Sequence, residues 1–109
     1  MIDGYIEATY LSEKIDKIVF YLATRPGSFR DRFAETALPA AGLSVDSFPE
    51  SQRKHVATVL GTIANRSEAS LEELQNAAEK IMSLQFHLNW YLERCREQEI
   101  IERYEAAQK

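Results

Sequence analysis

The fold of this chain is decided by residues 70–109, which read SLEELQNAAEKIMSLQFHLNWYLERCREQEIIERYEAAQK. Ser70 and Glu73 have the capping-box spacing, in which the serine and glutamate side chains satisfy backbone N–H groups at the start of a helix. Neither glycine nor proline follows Ser70, so nothing in the stretch stops a helix before the C-terminus. The sequence therefore predicts one helix over about residues 71–107, which at ~1.5 Å per residue is about 55 Å long.

Two apolar faces run along this predicted helix. The first has the spacing of a stripe that faces a protein core. It consists of Leu74, Ala77, Ala78, Ile81, Leu84, Leu88, Leu92 and Cys95. The second lies roughly opposite, and its apolar residues form two groups: Met82, Phe86 and Trp90, then Ile100, Ile101 and Tyr104. A helix that is apolar nearly all round needs two packing partners.

Two different surfaces could pack on the first group of the second face, one from the same chain and one from another chain. We expect the shorter helices of the same chain to cover it, because helix one carries apolar residues outside its main stripe. Those residues are Tyr5, Ile6 and Phe20. Contact with another protein chain is the alternative, and it makes Phe86 and Trp90 part of an interface.

The second group, Ile100, Ile101 and Tyr104, is expected to contact another protein chain. A domain of this length is roughly 35 Å across, so the last turns of a helix about 55 Å long project beyond the core. Those turns would be poorly covered in a monomer. The alternative is that the helix ends between Leu92 and Gln98 and that the remaining residues form a solvated tail.

Proline and glycine divide the preceding residues into three shorter helices. The first spans about residues 4–24 and is ended by Thr24-Arg-Pro-Gly27, since proline disfavours helical geometry in the residue before it. The second begins at the cap pair Ser28 and Asp31 and runs to about residue 38.

The third helix is predicted to begin at a capping box formed by Ser47 and Glu50 and to end near Arg66. No window alternates with period two over enough residues to predict a strand. The sequence thus predicts an all-α fold, an irregular or orthogonal bundle of four main helices with a long C-terminal helix. We expect a single domain over residues 1–109.

The net charge of −4, from 13 basic and 17 acidic residues, argues against general binding to nucleic-acid phosphates. Basic residues concentrate in one segment, residues 25–66. They are Arg25, Arg30, Arg32, Arg53, Lys54 and Arg66. A helix-turn-helix in this segment is the best case for nucleic acid, but its connection, residues 44–49, exceeds the turn of three to four residues typical of that motif.

Sequence patterns for catalysis, metals and cofactors are missing. His55 and His87 are the only histidines, and neither has a metal-ligand spacing. The four glycines are not grouped as a phosphate-binding loop, and Cys95, the only cysteine, cannot form an internal disulfide. We therefore expect no catalytic residues, no metal, no cofactor and no enzyme activity.

The N-terminal residues do not have the pattern of a signal peptide, because Asp3, Glu7 and Glu13 interrupt them. The longest apolar run, residues 18–23, is about a third of the ~20 residues that cross a bilayer. We expect no membrane association and a cytoplasmic location.

Three stretches carry a resemblance to known proteins: residues 11–33, Phe48-Pro49 and residues 78–84. In them the chain resembles small, uncharacterised all-helical bacterial proteins. The resemblance covers most of residues 10–85 and implies a bacterial origin, but it brings no activity or site residues with it.

The function we predict is a non-enzymatic protein–protein interaction module. It acts through the long C-terminal helix, either in self-association as a homodimer or as an accessory or assembly subunit with a different partner. The predicted interface consists of Phe86, Trp90, Ile100, Ile101 and Tyr104. The alternative is a nucleic-acid-binding regulator that uses the basic residues of segment 25–66.

Overall fold

The structure, a computed structural model, describes residues 5–108 and, for side chains, residues 7–108. Within these described residues, five α-helices follow one another: α1 (Tyr5–Thr24), α2 (Phe29–Glu35), α3 (Ala37–Ala40), α4 (Arg53–Ala64) and α5 (Leu71–Ala107). Two single turns of 3₁₀ helix, Val45–Ser47 and Glu50–Gln52, lead into α4. No strand occurs among residues 5–108, and the predicted all-α fold is confirmed.

The core lies between α5 and the shorter helices, chiefly α1 and α4. The predicted core stripe of α5 is buried, apart from the half-buried Ala78, and its buried members are Leu74, Ala77, Ile81, Leu84, Leu88, Leu92 and Cys95. The facing side chains of the same core are Leu11, Ile15 and Ile18 of α1, Phe33 of α2, and Val56, Val59 and Ile63 of α4. One face of α5 is thus satisfied within the chain.

Two of the predicted helix starts are confirmed. The Ser70 hydroxyl accepts a hydrogen bond from the Glu73 backbone N–H at 3.1 Å, and the Glu73 carboxylate accepts one from the Ser70 N–H at 3.2 Å. Ser28 and Asp31 form the same reciprocal pair at the start of α2. The turn before it requires Gly27, whose φ is 101°, in the left-handed region that side chains disfavour.

The predicted second helix is divided in two at Thr36, between α2 and α3. The buried Thr36 hydroxyl donates a hydrogen bond of 2.6 Å to the carbonyl oxygen of Phe33. Pro39 has no backbone N–H to donate to the carbonyl of Glu35, so a continuous helix would lack one bond at this point. The short α3 is therefore a separate element.

The predicted capping box of Ser47 and Glu50 is wrong. Ser47 ends the first 3₁₀ turn, Glu50 begins the second, and α4 begins only at Arg53. Phe48 has extended backbone (φ −93°, ψ 156°), as expected for the residue before Pro49, so a helix cannot run through it. The phenyl ring of Phe48 is buried in the core, and this burial fixes the extended segment.

The C-terminal part of α5 extends beyond the core. The helix has 37 residues, its last buried side chain is Cys95, and every side chain from position 96 to 108 is exposed. The described part of the molecule measures 60 × 26 × 21 Å, and the long dimension matches the helix length of about 55 Å. The predicted projection is confirmed, and the alternative of a helix ending between Leu92 and Gln98 is wrong.

A pair of identical substitutions tests this division between buried and exposed positions. Leu84→Ala, at a side chain that is 1% exposed, should lower the free energy of unfolding by about 2–5 kcal/mol, because it leaves a cavity in the core. Leu38→Ala removes the same atoms from a side chain that is 70% exposed. It should change the free energy of unfolding by less than about 0.5 kcal/mol. Urea denaturation measures both, and equal effects would contradict the placement of the core.

Candidate functional site

The first group on the second face of α5 is exposed to solvent. Met82 is 51%, Phe86 67% and Trp90 52% exposed, so the expectation that the shorter helices cover them is wrong. The cover was expected partly from Phe20, which is itself 60% exposed. The side chains of Tyr5 and Ile6, also expected to contribute, lie outside the described residues.

Hydrogen bonds between α1 and α5 explain why α1 leaves this face open. The Ser12 hydroxyl donates to the Asn89 side-chain oxygen at 3.2 Å, and the Gln85 amide donates to the Asp16 carboxylate at 2.8 Å. Both bonds belong to one antiparallel register, which holds α1 beside the edge of the face rather than across it. The same register places Phe20 level with the turn that contains Met82.

The second group, Ile100, Ile101 and Tyr104, lies on the projecting turns. These side chains are 66%, 49% and 65% exposed. An ion pair lies beside them, with Arg103 donating to the Glu99 carboxylate at 2.7 Å. An exposed pair of this kind stabilises a helix only slightly, so these turns have little support from the described residues of their own chain.

We call the two groups together the outer face of α5. The body patch is Met82, Phe86 and Trp90, and the tail patch is Ile100, Ile101 and Tyr104. Glu93 and Glu97, both exposed, continue the same face between the patches at helical spacing. The structure therefore places the five predicted interface residues on one face but in two separate clusters.

Two residues of this surface are missing from the predicted interface. Met82 shares the four-residue spacing of Phe86 and Trp90, and that spacing was a sufficient signal for including it. Phe20 extends the apolar surface from α5 onto α1, and the signal was its position outside the apolar stripe of its own helix. The apolar spacing predicts that Phe20 helps to cover the group that contains Met82 within the chain, but both side chains are exposed.

A cleft of about 290 Å³ opens beside the body patch. One wall is formed by Pro49, Ser51 and Gln52 from the segment before α4, and the other by His87, Trp90 and Tyr91 of α5. The guanidinium of Arg94 stacks over the Trp90 indole, 4.9 Å from the centre of the ring. The cleft therefore gives the outer face a recess next to its largest aromatic side chain.

The basic residues of segment 25–66 largely bind the chain's own backbone. The guanidinium groups that donate to backbone carbonyl oxygens are those of Arg30, Arg32, Arg53 and Arg66. Arg32, for example, donates to the Leu22 carbonyl at 2.8 Å and so holds α2 to the end of α1. The Arg25 guanidinium stacks over the Tyr21 ring at 3.9 Å. These contacts stabilise turns and helix ends.

Within the described residues, no group of three or more His, Cys, Asp or Glu side chains is placed to hold a metal ion. Across residues 5–108, none of the helices combines the length and apolar character that crossing a membrane requires.

Comparison with known proteins gives no relative: no family model, no curated protein and no solved structure matches this chain. The bacterial resemblance of residues 11–33, Phe48-Pro49 and 78–84 stays a prediction.

The only tryptophan of the chain, Trp90, reports directly on the body patch. At a dilution where the chain is monomeric, its fluorescence should have the red-shifted maximum of a hydrated indole and be quenched readily by acrylamide. The physical reason is that about half of its side chain is open to water. A blue-shifted emission that resists acrylamide in the monomer would contradict the exposed body patch.

Proposed function

We propose that this protein is a non-enzymatic interaction module that binds another protein chain through the outer face of α5. The observation that carries the proposal is the presence of six large apolar side chains, each about half exposed or more, along one face of one helix. Single exposed apolar residues are ordinary, but clusters of large exposed apolar side chains bordered by charged residues are typical of an interaction site.

The energetic case rests on the cost of leaving this face in water. Burial of one large apolar side chain contributes about 1.5–3 kcal/mol, so six of them amount to something on the order of 10 kcal/mol. That value is comparable to the whole stability of a typical domain. A partner that covered the face would gain part of this burial free energy, because the loss of entropy on association offsets the rest.

The binding mechanism would be helix-on-helix burial. Phe86, Trp90 and Tyr104 are the aromatic side chains of the face, and aromatic residues carry much of the binding energy at interfaces. Ile100 and Ile101 add aliphatic surface on the tail patch. The charged residues on either side would set the orientation of the partner, because like charges exclude wrong registers. The continuous helix α5 presents all of these side chains on one face.

Two kinds of partner fit this mechanism: a second copy of the chain, as a homodimer, or a different protein to which this chain is an accessory or assembly subunit. The alternative of a nucleic-acid-binding regulator has weaker support, since four arginines of segment 25–66 are engaged with backbone carbonyls. A cytoplasmic location remains our expectation for the module.

Site-specific photocrosslinking in the native host tests the proposal. A benzoylphenylalanine placed at Phe86 or at Tyr104 should capture a protein chain on irradiation, because the outer face is covered in the cell. The matched control carries the same probe at Leu38, which is 70% exposed but lies on α3, away from α5. We expect the crosslinked fraction at both α5 positions to exceed that control at least fivefold.

The mass of the crosslinked product identifies the partner as a second copy or a different chain, and either result supports the module. Crosslinking at Phe86 and Tyr104 no higher than at Leu38 would contradict the proposed function.

A further inference from the structure

We propose that the chain covering the outer face is a second copy of this chain, paired antiparallel with it about a two-fold axis that crosses the outer face at the level of Cys95. The inference rests on the proposed function and specifies its partner. It follows from the positions of the two patches, the charges along the outer face, and the area that the face exposes.

The two patches are placed symmetrically about Cys95. Phe86 and Tyr104 each lie nine residues from it, and Trp90 and Ile100 each lie five residues from it. In an antiparallel pair centred there, Phe86 of each copy therefore lies level with Tyr104 of the other, and Trp90 level with Ile100. Each projecting tail patch is then covered by the other copy's body patch, so one contact satisfies both patches of both chains.

The first half of the outer face is polar. Its positions before Met82 are Glu72, Gln75 and Glu79, all exposed. In this register the other copy's tail patch lies level with Phe86 to Trp90, so these polar residues lie outside the contact between the patches. The pairing therefore covers the apolar part of the face and leaves its polar first half in water.

The charged residues at the level of the axis are Glu93, Arg94, Arg96 and Glu97. Glu93 of each copy lies level with Glu97 of the other on the outer face, so carboxylates meet at the centre of the contact and their repulsion weakens the pairing. Helical spacing puts Arg94 and Arg96 on either side of these carboxylates, where their charges offset part of the repulsion. A parallel pair would set the same carboxylates together and in addition bring Glu72 and Glu79 against their own copies, so charge disfavours the parallel direction more.

The exposed area is sufficient for a dimer. Six side chains of about 200 Å² each, roughly half to two-thirds exposed, present about 700 Å² per copy. A stable protein–protein interface of ordinary size buries about 800 Å² per partner. Phe20, at the edge of the body patch, adds further apolar surface.

The cleft beside Trp90 has a role in this pairing. In this register Ile101 of one copy lies level with Asn89 of the other. Helical spacing puts Ile101 on the same side of α5 as Arg94 and His87. The cleft of about 290 Å³ opens on that side, next to the indole, and its volume is ample for an isoleucine side chain. The same cleft in each copy would receive Ile101 of the other.

Sedimentation equilibrium of the purified chain tests the pairing and its register. Wild type should show a concentration-dependent monomer–dimer equilibrium. The double variant Glu93→Leu, Glu97→Leu should lower the dissociation constant of the dimer at least tenfold, because it replaces the carboxylates at the centre of the contact with apolar side chains. The matched control, the double variant Glu72→Leu, Glu79→Leu, makes the same change outside the contact. It should alter the dissociation constant of the dimer less than twofold.

A wild-type chain that stays monomeric up to hundreds of micromolar would overturn the pairing. Equal tightening by both leucine pairs would overturn the antiparallel register. Because these variants add apolar surface rather than remove it, loss of folding does not imitate the expected result.

Disulfide crosslinking through introduced cysteines is an independent test of the direction in which the two α5 helices pair. In a Cys95→Ala background, chains carrying Glu93→Cys and chains carrying Glu97→Cys are oxidised separately and as a mixture. The antiparallel pair predicts disulfide dimers mainly in the mixture, since each position lies level with the other. Dimers from each variant alone, without enrichment in the mixture, would overturn the antiparallel direction in favour of a parallel one.

The failure of this inference differs from the failure of the proposed function. If the photocrosslinked product from the native host holds only a different chain, the self-pairing is overturned and the interaction module stands. If neither product forms, the module itself fails.

Discussion

The structure depends on one constraint: a helix of 37 residues packs against shorter helices, the longest of which, α1, has 20 residues. Those helices cover one face of α5 as far as Cys95 and no farther. The position of α1 is fixed by its own core stripe and by the hydrogen bonds of Ser12 and Asp16 to α5, so it cannot also cross the outer face. The exposed patches are a consequence of this geometry.

The long helix could be predicted from the sequence because each signal for it was local. The capping box of Ser70 and Glu73, the lack of helix breakers and the core stripe all act within α5 itself, and all agree. Agreement among local signals is what makes an element predictable from its own residues. The predicted core positions on α5, apart from the half-buried Ala78, are correct for the same reason.

The errors arose where a distant contact or a competing backbone preference decided the outcome. The capping box of Ser47 and Glu50 has the right spacing, but Pro49 and the buried ring of Phe48 hold the chain extended between them. Cover for Met82, Phe86 and Trp90 depended on where α1 lies around α5. Residue spacing shows that a side chain is apolar and on a given face, but not which neighbour reaches it.

The same limit applies to function. The interface residues were predicted from apolar periodicity, yet their separation into body and tail patches about Cys95 becomes meaningful only once α5 is continuous to Ala107. The arginines of segment 25–66 show the converse, since basic residues in a sequence suggest a binding surface until their guanidinium groups are found on backbone carbonyls. The hydrogen-bond partners of the arginines and the exposure of the apolar side chains, which structure alone supplies, separate the two cases.

Hydrogen–deuterium exchange at two protein concentrations tests most directly whether a second copy shelters the outer face. A projecting helix of about twelve residues is marginal alone, so its amides should exchange quickly when the chain is dilute. Concentrated protein should show strongly slowed exchange in residues 97–106 and unchanged exchange in α3. Rapid exchange of residues 97–106 at both concentrations would contradict the account.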